Sequence, residues 1–338
     1  MNKPIQPRRT FLKSAALGGI TLSLPAAAWS PQRGNQMEKG KRVGIIGLDT
    51  SHSPAFVKAL NAEKPDADYA EFTVVAAYPY GSRDIESSTK RIPGYIDEVK
   101  KMNVEIVDSI DDLLKKTDVI LLETNDGRLH REQAIQVLKA GKRVFIDKPM
   151  AASLADVTAI FEASQTYGIP LFSASSLRYI KGAENIDKSK VLGADTFSPA
   201  TLEKTHPDFF WYGIHGVETL YTVMGTGCRE VSRVHTPETD VVVGTWADGR
   251  IGTFRGTRTG KHDYGGTVYT TEGNVRLGPY AGYEPLLKEI IGYFETGKVP
   301  VSPQETTEIF AFMEAADESK RRGGAAVTLQ SMMDKVKK

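Results

Sequence analysis

Val43-Gly44-Ile45-Ile46-Gly47-Leu48-Asp49-Thr50-Ser51-His52 decides the reading of the first half of the chain. Val43 to Gly47 is a short apolar run fit for a buried strand. Gly47 offers a tight turn, and Asp49, Thr50 and Ser51 are residues that start helices. A strand, a glycine turn and a helix N-terminus together make an anion cradle, because unpaired backbone N–H groups converge there. The dinucleotide version of that cradle expects glycines spaced G-x-G-x-x-G. With Gly47 as the first glycine, the second position is Asp49 and the third is His52. A carboxylate at the second position adds bulk and repels phosphate unless it turns away to cap the helix. Two readings stay open: Gly47, Asp49, Thr50, Ser51 and His52 form a cofactor loop with Asp49 turned away, or they only cap a helix.

Working outward, apolar runs alternate with helical periodicity up to residue 173. Strand-like runs are 72–77, 104–107, 118–122, 143–146 and 169–173; helix-like runs are 54–61, 94–102, 110–116, 129–140 and 154–167. Short buried strands alternating with helices predict a doubly wound α/β unit, with a parallel sheet and helices on both faces. The second half changes character. Runs at 241–246, 251–258, 267–271 and 274–277 are β-rich, and Ala247-Asp248-Gly249-Arg250 suits a hairpin turn. Helices are expected at 214–224, 283–296 and 304–321. The predicted fold class is therefore α/β: a doubly wound parallel sheet followed by an α+β domain with a mostly antiparallel open sheet. The expected boundaries are 41–175 and 176–338, and 338 residues suit two domains.

The first 40 residues stand apart. Residues 1–30 hold Lys3, Arg8, Arg9 and Lys13 and no acid, then an apolar run from Ala15 that ends in Ala26-Ala27-Ala28. That run is too short to span a bilayer and its end suits cleavage. Arg8-Arg9-Thr10-Phe11-Leu12-Lys13 is similar to a twin-arginine export signal. The expectation is a signal peptide at 1–30, a polar linker at 31–40, recognition by the twin-arginine machinery, a periplasmic or otherwise exported product, and no membrane span after processing. The whole chain carries 43 Lys and Arg against 42 Asp and Glu, so no basic footprint for nucleic acid is seen. A single cysteine, Cys228, excludes an intrachain disulfide and a cysteine-built metal site.

The ordered motifs resemble the glucose–fructose oxidoreductase / inositol dehydrogenase / rhizopine-catabolism (Gfo/Idh/MocA) family. Val144-Phe145-Ile146-Asp147-Lys148-Pro149 resembles its Glu/Asp-Lys-Pro motif. Glu123-Thr124-Asn125 followed by His130 resembles its Thr-Pro-Asn…His segment. Ser175-Ser176-Leu177-Arg178-Tyr179 resembles the segment after its sixth strand, and Ile214-His215-Gly216-Val217-Glu218 the start of its His-containing helix. The resemblance, over roughly residues 41–330, implies a Rossmann domain that binds NAD or NADP, a carbohydrate substrate, and an open sheet used for homo-oligomers. It implies oxidation of a sugar or polyol hydroxyl. Transient oxidation coupled to elimination or glycoside cleavage, or sugar binding alone, are the other readings. Lys148, at a strand end where α/β folds bind ligands, would hold or help deprotonate a hydroxyl. His215 would act as acid or base. Arg178, Trp211 and Tyr212 would contact substrate. Thr124, Asn125 and His130 would flank the cofactor.

Cofactor choice rests on Tyr78-Pro79-Tyr80-Gly81-Ser82-Arg83-Asp84 after the second strand. Ser82 and Arg83 come before any acid there, which favours NADP, since arginine pairs with a 2′-phosphate where an acid would take the ribose hydroxyl. His206, Asp208, His215 and Glu218 match no helical metal spacing, so no metal is expected.

Overall fold

The computed structural model describes residues 40–336. The expected signal, its Arg8-Arg9 pair and nearly all of the linker lie outside them.

Arg42–Ile46 (β1), Thr73–Tyr78 (β2), Glu105–Ile106 (β3), Val119–Leu122 (β4), Arg143–Asp147 (β5) and Phe172–Ala174 (β6) form one sheet. Its order is β3-β2-β1-β4-β5-β6, and every pair is parallel. The helices between them are His52–Leu60 (α1), Glu86–Lys100 (α2), Ile110–Lys116 (α3), Gly127–Lys139 (α4) and Leu154–Tyr167 (α5). Chain order reverses direction between β1 and β4, which is the crevice where open α/β sheets take ligands. Strands β1, β4 and β5 are apolar on both faces because helices cover both. Ser109 and Ser153 cap α3 and α5 by accepting the N–H of Asp112 and Asp156.

Helix α2 starts eight residues before the expected stretch. The cause of the miss is Pro93, which reads as a helix breaker. It sits on the exposed side, and the bond it cannot make would go to Thr89, itself exposed, while Ser88, Ile92 and Val99 face inward.

The second sheet runs β12-β11-β7-β10-β9-β8-β13. Its strands are Val191–Pro199 (β7), Cys228–His235 (β8), Thr239–Trp246 (β9), Ile251–Thr257 (β10), Gly265–Thr270 (β11), Gly273–Leu277 (β12) and Val327–Thr328 (β13). All pairs are antiparallel except β7 with β10. Residues 247–250 make the expected turn between β9 and β10, closed by Trp246 N–H donating to the Arg250 carbonyl at 2.8 Å. Strands β7 and β8 were not anticipated; both mix charged and apolar residues, since only one face of this sheet is covered.

Ile214–Met224 (α6) and Pro303–Arg321 (α8) pack on the covered face, while Leu329–Val336 (α9) packs on α8. Glu284–Thr296 (α7) behaves differently. Its Leu286, Leu287, Ile290, Ile291 and Phe294 join Val43, Ile45, Phe56 and Phe172 in the core of the first sheet. The first domain therefore completes its core with a helix from far along the chain.

Candidate active site

Because β1, β4 and β5 lie in register, their carboxyl ends finish along one line, with Ile46 opposite Leu122 and Leu122 opposite Ile146. Gly47 turns at φ +92°, and a Cβ there would lie 2.6 Å from the Thr124 backbone, so only glycine lets the loops after β1 and β4 touch. Glu123, Thr124 and Asn125 follow β4, and Asp147 and Lys148 close β5.

Asp49 does not cap α1. Its carboxylate is fully buried and accepts the N–H of Asn125 at 3.0 Å and of Ser82 at 3.2 Å. It lies where a Cβ on Gly81 would stand, tying together the ends of β1, β2 and β4. Burial raises its carboxyl from 3.8 to about 6, against the opposing pull of those N–H groups. The expectation of a helix cap is corrected: two N–H groups in the loops after β2 and β4 are better donors than the open end of α1, whose N-cap Ser51 makes no side-chain capping bond either.

His52 occupies the third-glycine position and fills it with a ring. Its Nδ1 lies 2.8 Å from Asp147 and 3.8 Å from Glu123, and its ring packs edge-on against Tyr283 with the ring centres 4.6 Å apart. Burial, then the charge of Asp147, lifts the Glu123 carboxyl well above the ordinary range. Burial also opposes charge on Asp147, but His52 and Lys148 hold its carboxyl low.

Three other expected site residues are engaged elsewhere. Ser82 donates its hydroxyl to Asp84 and its N–H to Asp49, so it is spent. Asp84 in turn pairs with Arg128, which also grips Asp126, locking the loop after β2 to the start of α4. Arg178 does not face substrate. Its guanidinium is buried between Glu218 at 2.9 Å and Glu305 at 2.7 Å. His130 is fully buried with its ring nitrogens against the Thr124 and Met150 carbonyls at 2.6 and 3.3 Å, so it fastens the loops after β4 and β5 rather than binding cofactor. Arg83 is exposed on a groove shared with Tyr80, Asp108 and Gln133.

The remaining candidates converge. Lys148, His52, Thr50, Ser51 and Asn125 from the first domain and Trp211, Tyr212 and His215 from the second line one cleft of about 380 Å³. His215 stands in the first turn of α6, its Nδ1 2.7 Å from the Ser175 hydroxyl. Burial and the nearby Lys148 and His52 push its pKa well below the usual value, so the ring is neutral at physiological pH. Lys148 Nζ lies over the Tyr212 ring, 5.7 Å from its centre. The aromatic run divides: Phe209 and Phe210 are core, packed on Phe254 and Phe310, whereas Trp211 and Tyr212 face the cleft. Tyr264, Tyr280 and Tyr283 complete the wall and were not anticipated. They come from loops with no motif, and only the return of α7 to the first domain brings Tyr283 to His52.

A dinucleotide placed on this sheet would run from the cleft, across the loop after β1, toward the end of β2. Both ends of that path are open, but the middle holds the buried Asp49 carboxylate, with Asp84 and Arg128 bridging beside it. An anionic diphosphate would meet a second anion without a free N–H at Ser82 or Asn125. The residues present do not fit the diphosphate in its usual place.

Comparison with known proteins places this site in context. Residues 41–174 match the Gfo/Idh/MocA model, described as oxidoreductase family, NAD-binding Rossmann fold. Glucose-6-phosphate 3-dehydrogenase of Bacillus subtilis is 24% identical over 155 residues, covering 45% of this chain and 38% of that protein. Inositol 2-dehydrogenase of Salmonella paratyphi B is 26% identical over 153 residues, covering 41% and 45%. The match thus spans less than half the length of these curated relatives. Myo-inositol dehydrogenase from Lactobacillus casei, solved with NAD(H) and myo-inositol, superposes with a TM-score of 0.67 at 15% identity over 85% of this chain and 96% of that one. The described chain thus shares the two-sheet architecture of that myo-inositol dehydrogenase, and its residues 41–174 are similar to the NAD-binding Rossmann fold of the Gfo/Idh/MocA oxidoreductase model.

Proposed function

We propose that this protein is an enzyme of the oxidoreductase family that acts on a hydroxyl of a sugar or polyol. The observation that carries the reading is the meeting of Lys148 and His215, from different domains, in one cleft walled by Trp211 and four tyrosines. Aromatic faces stack on the apolar faces of sugar rings, while an ammonium and an imidazole address hydroxyls. Lys148 holds the reacting hydroxyl oxygen. The neutral ring of His215, steadied by Ser175, exchanges the proton. The family's redox partner, NAD or NADP, would supply the hydride acceptor. The Asp49 carboxylate does not fit its diphosphate in the usual place.

That same carboxylate favours a second reading, sugar handling without a dinucleotide. The two separate on one experiment: mass spectrometry of small molecules released from the purified protein, followed by titration with NAD, NADP and a panel of polyols. Bound or binding dinucleotide, with nicotinamide reduction by a polyol, supports dehydrogenation. Polyol binding with neither dinucleotide supports the second reading. Binding of no polyol overturns both. A dinucleotide that does bind is expected to be NADP, since Arg83 remains exposed near the end of β2.

Export through the twin-arginine route is proposed from the order Arg8-Arg9, apolar run and Ala26-Ala27-Ala28. Replacing both arginines with lysine should stop export; normal export of that variant refutes it. Assembly through the uncovered face of the second sheet is proposed from Leu192, Phe197, Ile251 and Tyr269, all exposed there, and light scattering decides it.

A further inference from the structure

We infer that His52, Glu123 and Asp147 form a binding site for one divalent transition-metal cation, Zn²⁺ or Mn²⁺, at the carboxyl edge of the first sheet. One ligand atom from each lies within 4.8 Å of the other two. His52 Nδ1 is 2.8 Å from Asp147 Oδ2 and 3.8 Å from Glu123 Oε2. Ligands held at about 2.0–2.2 Å around a tetrahedral ion stand roughly 3–4 Å apart, so small side-chain movements would seat it.

The second observation is Glu123 itself. It is fully buried and neither oxygen accepts a hydrogen bond. A buried carboxylate without donors is costly unless it is paired or coordinates a metal. Among the described residues no lysine or arginine forms an ion pair with Glu123 or Asp147; the side chain within ion-pair distance is His52, and Lys148 acts on both acids only from farther away. Lys148 lies nearby but stands over the Tyr212 ring. Asp49 adds a third buried acid to the same edge. A divalent cation would offset this charge. One imidazole and two carboxylates suit a borderline ion better than Mg²⁺, which prefers oxygen ligands and keeps its waters. His52 lines the cleft with Lys148 and His215, so the cation site borders the cleft through that ring.

The cation site stands independently of the oxidoreductase reading, and its test needs no turnover. Full-length protein is stripped with EDTA and titrated calorimetrically with Zn²⁺ and with Mn²⁺. The expected result is one ion per chain. Glu123→Gln and His52→Asn should each weaken binding by about 100-fold or more, the upper end of what even indirect support of a metal contributes. His262→Ala, at an exposed histidine, should bind as the wild type does. Lys148→Ala should bind the ion at least as tightly while losing any turnover, which separates this site from the proton chemistry. Thermal melts show whether each variant folds. If Glu123→Gln does not, His52→Asn decides. Failure of the wild type to take up one equivalent of either ion, or unchanged affinity in a folded Glu123→Gln or His52→Asn, overturns the inference.

Discussion

Two buried charge clusters, one in each domain, use the same residue types to opposite effect. In the second domain Arg233 is fully buried on β8 and spends all three guanidinium nitrogens. Nε reaches Asp240 at 2.7 Å, Nη1 reaches Asp317 at 2.6 Å and Nη2 reaches Asp208 at 2.7 Å. Phe209 covers the guanidinium face at 4.1 Å, and Lys320, Arg258 and His235 brace the acids from outside. In the first domain Asp49, Glu123 and Asp147 gather at one sheet edge, yet Glu123 has no hydrogen-bond donor. A cluster built round a saturated arginine fixes a fold. An unsaturated one bordering a cleft is left for something to bind.

The sharpest test of that contrast is functional. Lys148→Ala and His215→Ala should each lower kcat/KM about 10²–10⁴-fold, the usual range for a proton-transfer group, with little change in thermal midpoint. Near wild-type turnover in either variant removes that residue from the chemistry. Next in size is Arg233→Met, which strands several carboxylates. It should cost about 3–5 kcal/mol of stability, read from urea unfolding, because removing one partner of a buried ion cluster leaves uncompensated charge. A loss below about 1 kcal/mol would show that the second cluster is as open as the first.

A smaller effect follows from pH. The folded Asp49 carboxyl titrates at about 6 against an ordinary 3.8, so between those values the folded protein keeps a proton that the unfolded chain releases. Stability therefore falls as pH rises through that window, by at most about 3 kcal/mol for this group. Asp49→Asn should lose that component, and the stability difference between variant and wild type should shift in the variant's favour from about pH 4 to pH 7. A difference that does not move with pH refutes the assignment. The smallest expected change is at Arg83. If a dinucleotide binds, Arg83→Ala should remove any preference for NADP by no more than about tenfold, the scale of one partly solvated ion pair. An undiminished preference would place the 2′-phosphate elsewhere.

The sequence by itself determined the first sheet and its order of elements. Its central strands β1, β4 and β5 are buried on both faces, so they read as apolar runs whatever surrounds them, and Ile110–Lys116, Leu154–Tyr167 and Ile214–Met224 are found with the bounds expected. It also determined that Lys148 and His215 deserve attention, since each opens or closes an element at a ligand-binding edge. The partners of individual side chains were decided only by the tertiary structure. Asp49 caps nothing because Ser82 and Asn125, 33 and 76 residues away, offer better donors. Arg178 has the chemistry of a substrate ligand, but Glu218 and Glu305 close around it. His52, Glu123 and Asp147 are scattered through a hundred residues without a recognisable spacing, and register between parallel strands brings them together. Periodicity records which face of an element is buried; it holds no record of what waits on the other side.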